Sequence, residues 1–219
     1  MTSVIAIPVK DLVNAKQRLM PILSADERRE LAGAMLEDVL DGLGPGLADS
    51  VLIVTRDAAA TAVARRRGVA CLSESANRGH TEAVAAAQRE AVAAGVDRFL
   101  TIPGDVPCVT HAEVRALFDA LGGRPGAAFV PSASGFGTNA ALLVPPDAMP
   151  LRFGEPSFQN HLDGARARGL DPTIVRLPGL GLDVDSPEDL LELLRRGAGT
   201  RSGRLAAAWG IPVRLSRPA

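Results

Sequence analysis

The sequence predicts an α/β fold in which helices cover both faces of a mostly parallel, doubly wound sheet. Short apolar runs rich in β-branched residues alternate with helical patterns along the 219 residues. A hydrophobic content of 47% is ample for one large core. No internal repeat or long linker divides the chain, so we expect a single domain over residues 1–200 and a C-terminal tail over residues 201–219.

Six apolar runs are the predicted strands. They span residues 4–9, 51–55, 69–73, 99–103, 127–131 and 140–145. Nearly continuous apolar runs are typical of strands that are covered on both faces. In open α/β sheets, ligands bind beyond the carboxyl ends of the strands, so we expect the chemistry in the loops that follow them.

Three segments between these runs predict helices. Residues 24–43 open with Ser24 as an N-cap and Glu27 three residues later, the pattern of a capping box. Residues 80–95 and 111–123 show the same apolar spacing and end at glycine. Alternation of such helices with the strands implies right-handed crossovers.

The overall charge argues against polyanionic partners. A formal net charge of -1 and a pI near 6.3 give no basic field for nucleic acid or an anionic membrane. No apolar run approaches the roughly 18 residues of a membrane helix. Cys71 and Cys108 suit buried thiols in a reducing compartment. We therefore expect a cytoplasmic protein with small-molecule partners, and the tail leaves room for a homodimer.

The loop after the first strand contains both lysines of the chain, Lys10 and Lys16, together with Arg18. It has neither G-x-G-x-x-G nor G-x-x-x-x-G-K-[ST], which argues against the usual dinucleotide fold and a P-loop ATPase. Three cations at a strand's carboxyl end could bind a triphosphate. Solvated surface lysines are the simpler alternative.

Acidic residues occur at two further positions. Asp105 follows the fourth strand, and a carboxylate there could hold Mg²⁺ or only cap its own turn. Asp183 and Asp185 precede a helix that is predicted to begin near Ser186. Capping and the helix dipole explain the polar residues from Ser186 onward but leave the two earlier aspartates without a structural task, which favours a metal role.

Three polar loops are candidate substrate sites. Gly154 and Ser157 lie just before an amphipathic helix, where free amides can bind an anion. Thr138 and Asn139 belong to a glycine-rich turn immediately before a strand and can donate to phosphate or carboxylate. An ordinary capped helix and an ordinary turn are the alternatives.

The third of these loops follows the third strand. It contains Asn77 and Gly79, which could meet a nucleobase or phosphate, although a plain polar loop explains them equally well. We assign His80, His111 and His161 structural or surface roles, since none has a partner nearby in sequence.

Six phrases together resemble, in order and spacing, the phospholactate and phosphoenolpyruvate guanylyltransferases of coenzyme F-420 biosynthesis. They are IPVKDLVNAKQRL, LSADERRELAGAMLEDVL, PGDVP, GFGTNAALLVPP, FGEPSFQNHLDGARARG and LDVDSPEDL, and the resemblance runs from about residue 3 to 195. It implies a three-layer, mostly parallel mixed sheet of about seven strands flanked by helices, similar to nucleotide-diphospho-sugar transferases.

The resemblance also implies an activity and its residues. It implies Mg²⁺-dependent transfer of GMP from GTP to a phosphorylated three-carbon carboxylic acid. The metal-holding aspartates would be Asp105 and one of Asp183 or Asp185, and Lys16 would face the triphosphate. The residues implied for the acid are Thr138, Gly154 and Ser157.

Two other functions compete with this one. A sugar-nucleotide glycosyltransferase could use the DVD segment at residues 183–185 as a D-x-D metal motif and would release a nucleoside diphosphate. A non-catalytic module would bind GTP without releasing pyrophosphate. Product analysis separates the three.

Overall fold

The computed structural model describes residues 1–12, 15–73 and 79–216. The strands are β1 (Ser3–Pro8), β2 (Ser50–Thr55), β3 (Ala70–Ser73), β4 (Arg98–Thr101), β5 (Gly126–Pro131), β6 (Thr138–Val144) and β7 (Thr173–Ile174). The helices are α1 (Ala25–Leu43), α2 (Ala58–Arg67), α3 (His80–Ala93), α4 (His111–Ala120), α5 (Ser157–Arg166), α6 (Pro187–Arg196), α7 (Arg201–Ala208) and α8 (Ile211–Leu215). A short 3-10 turn spans Gln17–Leu19.

The strands form one seven-stranded mixed sheet in the order β3-β2-β1-β4-β6-β5-β7. Strand β1 pairs in parallel with β2 and β4, and β2 pairs in parallel with β3. Strand β6 runs antiparallel to both of its neighbours, β4 and β5, and β7 is parallel to β5. This architecture confirms the predicted fold class.

Helices cover both faces of the sheet, which explains the apolar strands. Alternate residues of β1 face opposite sides: Ile5 and Ile7 belong to one buried cluster, whereas Val4 and Ala6 belong to the other. The first cluster takes apolar side chains from α1, α2, α4, α6, α7 and α8. The second is closed by α3 and α5. The protein therefore has three layers.

The three predicted helices are confirmed, and so is the capping box of the first. The Ser24 side chain accepts from the Glu27 amide, and the Glu27 side chain accepts from the Ser24 amide. Helix α3 begins after Gly79 and α4 after Thr110, close to the predicted starts. The helix predicted near Ser186 is α6, and Ser186 is its N-cap.

All six predicted runs contain a strand, but β7 was not predicted. At two residues, β7 is too short to show a pattern of its own. Strand β4 ends at Thr101, two residues before the predicted end. The backbone then leaves the sheet towards Asp105.

The C-terminal segment packs against the domain as far as it is described. The buried Asp38 of α1 accepts from the backbone amides of Arg201 and Ser202 and from the Ser202 hydroxyl. Apolar residues of α7 and α8 join the cluster on the α1 side of the sheet. Asp38 therefore caps the start of α7 from a different helix.

The prediction of two buried cysteines was wrong for Cys71. This residue is exposed, because β3 is the outermost strand of the sheet among the described residues. Cys108 is partly buried, and burial raises the pKa of its thiol to about 11. Within the described residues, none of the helices combines the length and hydropathy needed to cross a lipid bilayer.

Candidate active site

The sheet brings the candidate loops to one edge. Because β1 and β4 are parallel neighbours, the loop containing Lys10 and Lys16 and the loop containing Asp105 leave the sheet side by side. Strand β6 is antiparallel to β4, so its first residues, Thr138 and Asn139, lie at that same edge. The Val184 amide donates to the Asp105 carbonyl at 3.1 Å and fixes the second acidic loop, which contains Asp183 and Asp185, at the same place.

Lys16 is the centre of the site. Its Nζ donates to Asp105 Oδ2 and to Asp185 Oδ1, both at 2.6 Å, and its side chain is only 6% exposed. The two carboxylates, which lie 80 residues apart in sequence, thus converge on one cation position. Lys16 is also the one non-glycine residue with a positive φ (57°) among the described residues, a conformation that costs roughly 1–2 kcal/mol.

The charges of this cluster depend on one another. Burial lowers the pKa of Lys16, but the carboxylates of Asp105 and Asp185 outweigh burial and hold that pKa above its ordinary value. Burial raises the pKa of Asp105, but the Lys16 ammonium outweighs it and leaves this pKa below its usual range. At neutral pH the cluster therefore contains the buried Lys16 ammonium and the ionised carboxylate of Asp105.

A cavity of about 340 Å³ opens beside the cluster. Its walls include Pro8, Lys10, Lys16, His80, Asp105 and Asp185. Lys10 is exposed and brings a second cation to this cavity. Arg18 is exposed on the 3-10 turn and is not among the described residues that line the cavity, so the structure does not bring all three predicted cations together.

Asp183 and Asp185 have different partners. Asp183 Oδ1 accepts from Asn139 Nδ2 at 3.0 Å, whereas Asp185 binds Lys16. Burial raises the pKa of Asp183, and the charges of Asp105 and Asp185 raise it further against the hydrogen bond from Asn139. Of the two aspartates, Asp185 is therefore the one that shares a cation position with Asp105.

The carboxylates of Asp105 and Asp185 are suitable ligands for a divalent cation. Two carboxylates already bind one cation at short range, and Mg²⁺ prefers one or two carboxylates together with phosphate oxygens and water. In the ranges that the structure describes, no group of three histidine, cysteine or acidic side chains is placed to hold a metal. A bound Mg²⁺ would thus depend on the Asp105–Asp185 pair and on ligands from outside the chain.

Thr138 and Ser157 come together in a second polar group. The Thr138 amide donates to Ser157 Oγ at 3.0 Å, and both side chains are buried. Ser157 is the first residue of α5 and follows the N-cap, Pro156. Its hydroxyl contacts β6, and α5 has no side-chain cap, so the alternative of an ordinary capped helix is wrong. Gly154 lies on the exposed loop before α5 with φ of 115°.

Two histidines occupy positions that the sequence did not suggest. His80 lines the cavity and makes an edge contact with Phe153 at 4.4 Å, and burial lowers its pKa to about 4. His161 is 1% exposed and contacts Thr138, which is 23 residues away in sequence. The i, i+4 spacing of Ser157 and His161 on one helix was the available signal.

The loop after β3 is described only in part. Asn77 lies outside the described residues, so its predicted role stays a prediction. Gly79 is the N-cap of α3 with φ of 92°, a conformation that favours glycine.

Solved structures place this architecture in a known class. A protein from Desulfovibrio desulfuricans described as a nucleotide-diphospho-sugar transferase matches with a TM-score of 0.79 and 20% identity, and the match covers 100% of both chains. A cytidylyltransferase from Leptospira borgpetersenii matches with a TM-score of 0.60 and 13% identity, over 100% of this chain and 98% of the other. The fold is that of the nucleotide-diphospho-sugar-transferase-like nucleotidyltransferases.

Sequence comparison identifies the family. The family described as "Guanylyl transferase CofC like" matches residues 3–219, and the chain belongs to this family. Phosphoenolpyruvate guanylyltransferase of Sphaerobacter thermophilus is 40% identical over 194 residues, which are 88% of this chain and 93% of the relative. The 2-phospho-L-lactate guanylyltransferase of Methanothermobacter thermautotrophicus is 36% identical over 211 residues, which are 96% and 92% of the two chains.

Proposed function

We propose that this protein transfers GMP from GTP to the phosphate group of a three-carbon phosphorylated acid, with release of pyrophosphate and with Mg²⁺ as cofactor, in coenzyme F-420 biosynthesis. The names of its relatives support guanylyl transfer to phosphoenolpyruvate or 2-phospho-L-lactate. The observation that carries the proposal is the convergence of Asp105 and Asp185 on one cation position beside a cavity. The acid would be phosphoenolpyruvate, 2-phospho-L-lactate or 3-phosphoglycerate.

The proposed reaction requires no general base. An anionic phosphate oxygen of the acid attacks the α-phosphorus of GTP and forms a new P–O bond, while the bond to the departing pyrophosphate oxygen breaks and pyrophosphate takes its electron pair. A phosphate monoester has a second pKa of about 6, so the attacking oxygen carries no proton at neutral pH. This chemistry agrees with His80, the histidine of the cavity wall, being a weak base, since burial lowers its pKa to about 4.

Repulsion between two anions is the main obstacle that the site must overcome. Mg²⁺ held by Asp105 and Asp185 would supply positive charge to the triphosphate oxygens. A metal bound at the carboxylate oxygens that accept from Lys16 would displace its ammonium, which lies at the cavity and can pair with phosphate. Lys10 brings further positive charge to the same cavity.

The acid would bind at the second polar group. Thr138 and Ser157 offer hydroxyls at the carboxyl edge of the sheet, and Gly154 permits close approach of the adjoining loop. Asn139 follows Thr138 directly and binds Asp183, and this contact connects the second polar group with the acidic loop. The acid and GTP would therefore meet at one edge of the sheet.

Product analysis tests the proposal. The purified protein is incubated with Mg²⁺, each of the four nucleoside triphosphates and each of the three acids, and in separate reactions with sugar nucleotides. Products are identified by mass spectrometry, and GTP binding is measured by calorimetry. We expect pyrophosphate and a guanylylated acid with GTP. Release of a nucleoside diphosphate from a sugar nucleotide, or GTP binding with no product from any acid, would contradict the proposal.

A further inference from the structure

The buried side chain of His161 contacts one of the residues proposed to bind the acid. It lies one helical turn after Ser157 on α5, and its Nδ1 is 2.9 Å from Thr138 Oγ1. Its ring is fixed by a stacked contact with Phe129 (centroids 5.3 Å apart) and an edge contact with Phe153 (5.0 Å). The imidazole therefore has one orientation relative to the Thr138 hydroxyl.

The hydrogen bond on the far side of the ring assigns its tautomer. The backbone amide of Arg152 donates to His161 Nε2 at 3.0 Å, so Nε2 must offer a lone pair. An imidazolium has no lone pair, and a neutral imidazole that accepts at Nε2 carries its hydrogen on Nδ1. Burial, which lowers the pKa of His161 to about 4, agrees with this neutral form.

The tautomer in turn fixes the role of the Thr138 hydroxyl. Because Nδ1 carries a hydrogen, it donates to Thr138 Oγ1, and Ser157 Oγ donates weakly to the same oxygen at 3.4 Å. With its lone pairs engaged, the Thr138 hydroxyl has its own hydrogen left for a third partner. Such a partner must be an acceptor, such as a carboxylate or phosphate oxygen.

We propose that His161 is a positioning residue that holds the Thr138 hydroxyl as a hydrogen-bond donor towards an anionic oxygen of the acid substrate. The inference rests on the proposed function and adds to it a residue that does not touch the substrate. His161 acts through Thr138, so its loss should weaken binding of the acid and leave binding of the nucleotide unchanged.

A double-mutant cycle tests this role through the KM values of both substrates. We expect His161→Phe, which keeps a ring in the aromatic pocket, to raise the KM of the acid about tenfold and to change the KM of GTP less than about twofold. The conservative His161→Asn places an amide near the position of Nδ1 and should recover most of the acid affinity. In a Thr138→Val background, His161→Phe should add nothing.

Two results of the kinetic measurements would overturn the inference. One is a cycle in which the losses of the two single variants multiply, and the other is an equal rise in both KM values, since each indicates a purely structural role. If the histidine variants fail to fold, ¹⁵N NMR of the wild-type imidazole decides. A hydrogen on Nδ1 supports the inference, and a hydrogen on Nε2 contradicts it. If the wild type guanylylates none of the acids, the proposed function itself is wrong. This outcome can be told apart from the results of the cycle and of the NMR measurement.

Discussion

At the scale of the residue, Lys16 offsets part of the negative charge of the site. Its single ammonium lies between two carboxylates that would otherwise repel each other, and it does so from a strained left-handed backbone conformation. A divalent cation bound by the same oxygens competes with this ammonium. Lys16 should therefore stabilise the metal-free protein and oppose metal binding.

We expect Lys16→Met to lower the free energy of unfolding by about 1–2 kcal/mol without metal, because two partly exposed carboxylates lose their counter-ion. Added Mg²⁺ should restore more stability to this variant than to the wild type. Denaturant unfolding with and without Mg²⁺ measures both effects, and Arg29→Met, which removes an exposed cation away from the cavity beside Lys16, is the matched control. Equal stabilisation of Lys16→Met and wild type by Mg²⁺ would contradict this account.

His161 gives a prediction about pH and stability. Its pKa is about 4 in the folded protein and about 6.5 when unfolded, so below pH 6.5 the unfolded chain binds a proton that the folded protein does not. Its contribution to stability is thus present above pH 6.5 and is lost as the pH falls towards 4. Between pH 7 and pH 5 this loss should amount to about 2 kcal/mol. Unfolding curves at the two pH values should show a smaller difference in the free energy of unfolding for His161→Phe than for wild type. The same difference in both proteins would count against a neutral buried ring.

At the scale of the element, the antiparallel strand β6 organises the second half of the site. Its reversal brings its amino end, with Thr138 and Asn139, to the edge where the parallel strands β1 and β4 end. A parallel strand in that place would put these residues at the opposite edge of the sheet. The mixed sheet therefore allows the residues proposed to bind the acid to lie beside the acidic loops.

Helix α7 is anchored by Asp38, and this contact can be tested by itself. Asp38→Ala should lower the free energy of unfolding by about 2 kcal/mol, because it leaves the amides of Arg201 and Ser202 without their acceptor. Asp41→Ala is the matched control, since Asp41 forms only exposed ion pairs and should cost about 0.5 kcal/mol or less. Denaturant titration compares the two variants. Equal losses of unfolding free energy would show that the cap at Asp38 contributes little.

The sequence predicts most elements because each carries its own local signal. The capping box at Ser24 and the apolar run of β1 depend on neighbours within a few residues. Strand β7 has only two residues, and its pairing with β5 depends on a partner more than 40 residues away. Local pattern cannot reveal such an element.

The site was only partly predictable for the same reason. Asp105 and the 183–185 segment follow apolar runs, which a sequence shows. The different partners of the two later aspartates, Asn139 for Asp183 and Lys16 for Asp185, depend on the fold. His161 and Thr138 lie on a helix and a strand that become neighbours only in the folded protein, so their contact cannot be predicted from local sequence. The roles of these residues stay predictions until variants are measured.

At the scale of the whole molecule, one edge of one sheet gathers all the groups that the proposed reaction needs. Loops after β1 and β4 bring the cations and the first carboxylate, and the loop before α6 adds the second. The start of β6 and the start of α5 bring Thr138 and Ser157 there, the two hydroxyl residues proposed to bind the acid. Dimer formation by the C-terminal tail is not required by this arrangement and stays a prediction, which light scattering in solution would test.

The central claim is that transfer depends on the cation position shared by Asp105 and Asp185. The most direct measurement is the turnover number for pyrophosphate release, at saturating GTP and acid, in Asp105→Asn and Asp185→Asn. Each variant should lose about a hundredfold or more, roughly 3 kcal/mol of barrier, whereas Asp26→Asn, at an exposed position on α1, should keep normal turnover. Near-normal turnover in both Asp105→Asn and Asp185→Asn would contradict the account.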